Sequence, residues 1–257
     1  MMPVLAFDIE TVPDVAGARA LYGLEASLAD EEVAEFLFQR RRASSGNDFL
    51  PLHLQRVVVI SCVLREDRGL RIWSLAEPES GEGEIIQRFF DGVEKYTPQL
   101  VSWNGGGFDL PVLHYRGLVH GVRAPRYWEL GDEDREFRFN NYINRYHTRH
   151  LDLMDLLALY QPRANAPLDE LAKLMRLPGK LGMDGSAVWP AYRRGEIGAI
   201  RDYCETDALN TYLVYLRFQL MRGIASPAAT EAEFAAVRSH LSAIDRPHWR
   251  EFLAAWG

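Results

Sequence analysis

Two carboxylates, Asp8 and Glu10, close the segment VLAFDIE in a run that is apolar from Val4 to Phe7. Such an approach reads as a strand covered on both faces, and residues two apart on a strand share a face. Like charges side by side at the end of a buried strand repel each other and resist desolvation. A divalent cation removes that conflict by turning the pair into ligands. Asp109 and Asp207 stand where they could join the pair. Asp109 follows three glycines in WNGGGFDLPVL, where it could equally cap the helix that starts at Leu-Pro. Asp207 comes four residues after Tyr203 in RDYCETDALNTYLVYL, so on a helix the two project from one face. Taken alone, Asp202, Glu205 and Asp207 would also suit a solvated face.

Together the segments carry more weight. A strand end, a strand-to-helix loop and the side of a later helix are the places from which a sheet-based site draws its side chains. Carboxylates and a tyrosine, with no Cys or His cluster, suit hard cations such as Mg²⁺ or Mn²⁺. Two such ions about 4 Å apart serve in-line displacement at phosphorus. Gly105, Gly106 and Gly107 do not form a dinucleotide fingerprint, because Leu110 stands where its last glycine would be. They either turn the chain or let backbone approach something closely. His147 and His150 lack the partners of a tetrahedral zinc set and read as structural. Asp152 and Asp155 suit helix capping. The six tryptophans read first as core or tail packing rather than base stacking, and Trp103, beside Asn104, is the one kept as a candidate for stacking.

The elements that must position these residues can be outlined from periodicity. Val4 to Phe7 opens a strand, and residues 15 to about 45 have helical composition ending at SSGND. VVVISCVLRED (57–67) and LRIWSLA (70–76) read as strands joined by a tight turn. Ile85, Ile86, Phe89, Phe90 and Val93 space a helix over 83–96. LVSWN (100–104) is a strand, and LPVLHYRGL a helix with Pro111 in its first turn. Residues 121–148 show no periodicity. RHLDLMDLLALY (149–160) is a strand running into a helix, or one long helix. Helices are expected over 168–175, 188–195 and 196–222, with a helical tail after Pro227. Strands in succession followed by alternating strand and helix predict a mixed sheet flanked by helices.

The chain has 257 residues, 47% of them hydrophobic, which suffices for one large domain. There is no signal-peptide pattern and no apolar run near the ~18 residues of a membrane helix. Two cysteines, Cys62 and Cys204, far apart, fit a reduced, cytoplasmic protein without excluding a bridge. The net charge of −7 opposes a protein that coats a nucleic-acid backbone. It leaves room for an enzyme that grips only a chain end and whose acids bind cations.

Asp8-x-Glu10, Asn104-x-x-x-Phe108-Asp109 and Tyr203-x-x-x-Asp207 match, in order, the three exonuclease motifs of the DEDD superfamily. Tyr203 places the resemblance in the tyrosine subclass. The text NYINRYHTRHLDLMDLL and DYCETDALNTYLVYLRFQLMRG is most similar to stand-alone bacterial proteins related to the 3′–5′ exonuclease domain of family B DNA polymerases. The resemblance spans roughly residues 3–222. It implies a ribonuclease H-like α/β fold, a five-stranded mixed sheet with the first strand central and helices on both faces. It divides the chain into an exonuclease domain (1–225) and a C-terminal helical tail (226–257). It implies two divalent cations, Mg²⁺ or Mn²⁺, with Asp8 bridging both, Glu10 and Asp207 on the one that carries the attacking water, and Asp109 on the side of the second. Tyr203 would orient the water. Thr11 would place its backbone near the terminal 3′-hydroxyl, and Asn104 and Phe108 would line the pocket for the last nucleotides, the Phe108 ring offering a stacking surface. The implied reaction is hydrolysis of the terminal phosphodiester of single-stranded DNA to a nucleoside 5′-monophosphate.

An exoribonuclease on the same chemistry stays open, because no residue identifies a contact to the 2′-hydroxyl. A non-catalytic module binding single strands or a protein would be expected to have lost a carboxylate, and this chain keeps all four. A ribonuclease H-type endonuclease would share the fold but not the tyrosine four residues before the last Asp. Arg40, Arg41, Arg42, Arg145 and Arg149 are either backbone contacts or ordinary surface arginines.

Overall fold

The structure is a computed structural model that describes residues 2–75 and 77–257. Strand β1 (Val4–Pro13) lies in the middle of a five-stranded sheet of order β3-β2-β1-β4-β5. β2 (Gln55–Glu66) runs antiparallel to β1, β3 (Gly69–Ser74) antiparallel to β2, and β4 (Gln99–Ser102) and β5 (His150–Asp152) continue parallel on the other side. The mixed sheet carries helices on both faces, the ribonuclease H-like architecture that the resemblance implied. The strand expected over 70–76 is β3; Ala76 lies outside the described residues.

β1 is apolar because both of its faces are covered. Leu5, Phe7 and Ile9 enter one core with α3 (Glu82–Tyr96) and α4 (Asp109–His120), where the Phe7 and Phe89 rings meet at 4.9 Å. Val4 and Ala6 enter the opposite core, against the 25-residue helix α8 (Ile197–Met221). Alternation therefore directs Asp8 and Glu10 to the α8 side. The pairing of β1 with β2 shifts register between Glu10 and Thr11, so the strand changes course just past the acids.

Between β1 and β2 the chain makes an excursion through α1 (Val15–Tyr22) and α2 (Asp30–Ser45). The helical composition of 15–45 is thus split in two, with Gly23 in the left-handed conformation ending α1. Asp14 caps α1 through the Gly17 amide at 2.9 Å. Arg116 on α4 ties that cap to the neighbouring helix, reaching Asp14 and, at 2.6 Å, Glu82. Glu82 also accepts from the Val57 amide, so one buried ion network joins the start of α1 to β2, α3 and α4.

The stretch 149–160 resolves into β5 followed by α5 (Leu153–Leu157). Beyond it come α6 (Leu168–Leu174), α7 (Gly185–Arg193), α8, α9 (Pro227–Ser242) and α10 (Pro247–Ala255). α7 begins three residues earlier than periodicity suggested, where Asp184 caps it through the Ser186 amide. Phe234, Val237, Trp249 and Phe252 from the last two helices share a core with α8.

Candidate active site

β1 delivers Asp8 and Glu10, α8 delivers Tyr203 and Asp207, and the first turn of α4 delivers Asp109, and all five meet over the middle of the central strand. Asp109 and Asp207 are each 4% exposed and Glu10 8%, so neither the helix-cap reading of Asp109 nor the solvated-face reading of Asp207 describes the structure. The cap position of α4 is taken by Phe108, with Asp109 in the first turn. α8 is enclosed through its middle turns, where α7, α9, α10 and the sheet pack around it and bury Glu205, Asp207, Asn210 and Thr211 along with its apolar residues.

Crowded burial shows in the acidities. Burial first, then repulsion from Glu10, Asp109 and Asp207, holds the Asp8 carboxyl well above its ordinary range. Glu10 is raised in the same way by burial and by Asp207. Asp109 is pushed up to about 7, burial outweighing hydrogen bonds from its own and the Ile9 backbone amides. Asp207 is raised by burial against the opposing pull of Lys180 and the Tyr203 hydroxyl. The Tyr203 phenol is raised far beyond its usual range by burial and the surrounding acids, so it remains protonated at neutral pH.

Among the described residues, Lys180 is the cation that makes contact with this group. Its Nζ lies 3.1 Å from Asp207 Oδ2 and donates to the Tyr203 hydroxyl at 2.7 Å. Motif reading passed over it: a lysine in LPGKLGMD has no spacing that marks it, and only the chain's return from α6 brings it to α8. Asp207 Oδ1 is buried without a hydrogen-bond partner. One ammonium facing four raised carboxylates, with one carboxylate oxygen unpaired, fits a site built to receive further positive charge. The donors are hard oxygens, as Mg²⁺ and Mn²⁺ require. Cys204, between the two α8 site residues, donates to the Asp8 carbonyl at 3.3 Å, and its Sγ lies within 4.8 Å of Asp8 and Glu10 carboxylate oxygens. Burial keeps that thiol protonated, so it acts as a neutral donor rather than a ligand. Both cysteines are free.

The triple glycine serves close packing of the loop that presents Asp109. A Cβ at Gly105 would stand 2.3 Å from Ser102 Oγ, and one at Gly107 2.5 Å from Asn104 Oδ1. Asp152 organises the same loop by accepting from the Asn104 and Gly106 amides at 2.9 and 2.8 Å while it caps α5. Asn104 takes a positive φ of 67°, a conformation asparagine tolerates better than most residues.

Beside Glu10 opens a cavity of about 560 Å³ lined by Thr11, Phe49, Gln55, Phe108 and Trp189. Phe108 and Phe49 pack at 5.5 Å. Thr11 Oγ1 donates to Gln55 at 2.9 Å. Thr11 and Phe108 line this cavity, and Asn104 does not. Phe49 and Gln55 were not foreseen, because the α1–α2 excursion that carries the chain to them has no motif. Trp103 instead packs against the α8 core and donates to the Ala166 carbonyl at 3.2 Å. His147 accepts from the Asn141 amide, and His150 pairs with Ser102 at 2.7 Å. Arg42 binds Glu35 and Asp48, Arg41 the Phe49 carbonyl, and Arg149 is buried over Phe137, so those three serve the fold. Arg145 pairs with Asp155 at 3.2 Å.

Known proteins share this chain's features. Residues 47–256 match a family described as a predicted 3′–5′ exonuclease related to the exonuclease domain of PolB. The match takes in Asp109, Lys180, Tyr203 and Asp207 and starts after β1. The DNA polymerase epsilon catalytic polypeptide of Emericella nidulans is 27% identical over 145 residues, 54% of this chain and 6% of that protein. DNA polymerase 1 of Sulfurisphaera ohwakuensis is 32% identical over 121 residues, 46% of this chain and 13% of that protein. The DNA polymerase epsilon catalytic polypeptide of Saccharomyces cerevisiae is 25% identical over 146 residues, again 6% of its length. These curated relatives are far longer than the aligned region. With four fifths of its length matched, the chain belongs to the family of predicted 3′–5′ exonucleases related to the exonuclease domain of PolB.

Proposed function

We propose that this protein is a two-metal-dependent 3′–5′ exonuclease of the tyrosine subclass, which hydrolyses the terminal phosphodiester of single-stranded DNA to a nucleoside 5′-monophosphate. The observation that carries the reading is the convergence of Asp8, Glu10, Asp109 and Asp207 in a buried site, with Asp207 Oδ1 unpartnered and one lysine opposing them. Asp8, Glu10 and Asp207 would hold one Mg²⁺ or Mn²⁺, and Asp8 with Asp109 the other. Bound there, the cations would supply the charge that acidifies the attacking water and stabilises the leaving oxygen.

The chain's own residues do the rest. Tyr203 stays protonated, and its oxygen accepts from Lys180. It therefore orients a water rather than deprotonating one. Lys180 opposes the burial that raises Asp207 and so favours its charged, ligating form. Thr11 and Phe108 place the terminal nucleotide in the cavity beside Glu10, with the Phe108 and Phe49 rings against its base. DNA is the favoured substrate because the similar curated proteins are DNA polymerases.

The same reading assigns residues 1–225 to the exonuclease domain and 226–257 to a tail packed on α8, and places the protein in the cytoplasm. Among the described residues no helix is long and apolar enough to cross a membrane. The test is cleavage of a 5′-labelled single-stranded oligonucleotide with each cation. Loss of label from the 5′ end, or cutting of a closed circle, would overturn the 3′–5′ assignment.

A further inference from the structure

We propose that a trough along α7 holds the unpaired nucleotides upstream of the terminal one, with Arg56 taking a backbone phosphate and Trp189 and Tyr192 offering faces to bases. The inference deepens the exonuclease reading and rests on it.

Three cavities follow one another from the acidic cluster. The first is the 560 Å³ pocket that Glu10, Thr11 and Phe108 line. The second, about 610 Å³, is lined by Pro13, Arg19, Arg56, Trp189 and Tyr192. The third, about 390 Å³, is lined by Asp30, Trp189, Tyr192 and Arg193. Trp189 borders all three and Tyr192 the second and third, so α7 forms one continuous wall. A small core of Val12, Val188, Ala191, Ile200 and Cys204 fixes α7 against β1 and against α8, the helix that carries Tyr203 and Asp207. The trough is therefore rigidly registered to the acids.

Its chemistry suits a single strand. Trp189 and Tyr192, one turn apart on α7, lie nearly parallel, 20° between planes and 6.1 Å between centroids. Arg56 sits over the Tyr192 ring at 5.8 Å, and among the described residues no carboxylate pairs with it. The acids that share these walls are engaged in ion pairs: Asp30 with Arg19, Glu31 with Arg193, and Asp14 and Glu82 both with Arg116. What is left for a ligand is a guanidinium without a carboxylate partner, over the Tyr192 ring, with Trp189 bordering the same cavity, the combination that binds successive phosphates and bases. It also shows how a chain of net charge −7 can hold a polyanion without a basic surface.

The test compares 5′-fluorescein-labelled dT2, which fills only the first cavity, with dT8, which reaches the others. Arg56→Ala and Tyr192→Leu should each lower kcat/KM on dT8 about tenfold, mainly through KM, and on dT2 less than twofold. Binding of dT8 by anisotropy in EDTA should weaken in step, and for Arg56→Ala the slope of log affinity against log salt should become shallower by about 0.7. Arg56→Lys should restore that slope. Equal losses on dT2 and dT8, no loss on either, or an unchanged salt slope would overturn the trough. If wild-type protein binds dT8 more tightly than dT2 yet cleaves neither, the trough stands and the exonuclease reading falls. If it cleaves both with equal kcat/KM, the reverse holds, and if it neither binds nor cleaves, both fall.

Discussion

Replacing Asp109 by Asn should stabilise the cation-free protein at pH 8 while removing its activity. Asp109 is buried, titrates near 7 in the folded state and would titrate near 3.8 unfolded. Between those values the folded chain keeps a proton that the unfolded chain has lost, so stability falls as pH rises. The penalty is absent below about pH 4 and complete above about pH 7, where it reaches at most ~4 kcal/mol. Asparagine can still accept from the Ile9 amide and carries no charge to desolvate. For a chain of this size each kcal/mol moves Tm by about 2–4 °C, so the variant should melt ~3–10 °C above wild type in EDTA at pH 8. At pH 5 the gap should shrink by more than half. Thermal melts at both pH values, with and without Mn²⁺, provide the assay, and Mn²⁺ should raise the wild-type Tm more than the variant's. A variant that melts below wild type at pH 8, or a gap that does not change with pH, would refute the electrostatic account of the site.

Lys180→Met should lower kcat by ~10²-fold. Because Lys180 holds the carboxylates down, its loss should also move the acidic limb of the pH–rate profile to higher pH, which rate measurements from pH 5 to 9 would detect. Tyr203→Phe should reduce kcat while leaving the Mn²⁺ isotherm, measured by calorimetry, as in wild type; weakened Mn²⁺ binding would show that the tyrosine shapes the site instead. Arg116→Met leaves Glu82 and Asp14 buried without their cation and should cost ~3–5 kcal/mol, seen as a lower urea midpoint.

What was legible in the sequence was what local chemistry fixes. The all-apolar approach to Asp8 marked β1 as a strand covered on both faces, the resemblance implied its central place, and the spacing of Tyr203 and Asp207 put both on one face of a helix. The Asp109 loop could be located, but its shape depends on Asp152, 43 residues on, and that contact leaves no periodic trace. Lys180 and Arg116 were hidden for the same reason: their partners are separated in sequence by 23 and 102 residues. Viewed in isolation, α8 offered acids for a solvated face, and only the packing of α7, α9 and α10 around it explains why Glu205 and Asp207 are buried while Asp202 stays half-exposed. The excursion through α1 and α2 read as helix, yet its role in bringing Phe49 to Phe108 is purely tertiary.

The most direct measurement follows matched DNA and RNA oligonucleotides, labelled at the 5′ end, with wild-type and Asp8→Ala protein in Mg²⁺, Mn²⁺ or EDTA. The proposed mechanism predicts a ladder shortening from the 3′ end of the DNA with either cation, absent in EDTA and absent for Asp8→Ala. Cleavage that persists in EDTA or in the Asp8→Ala protein would contradict it.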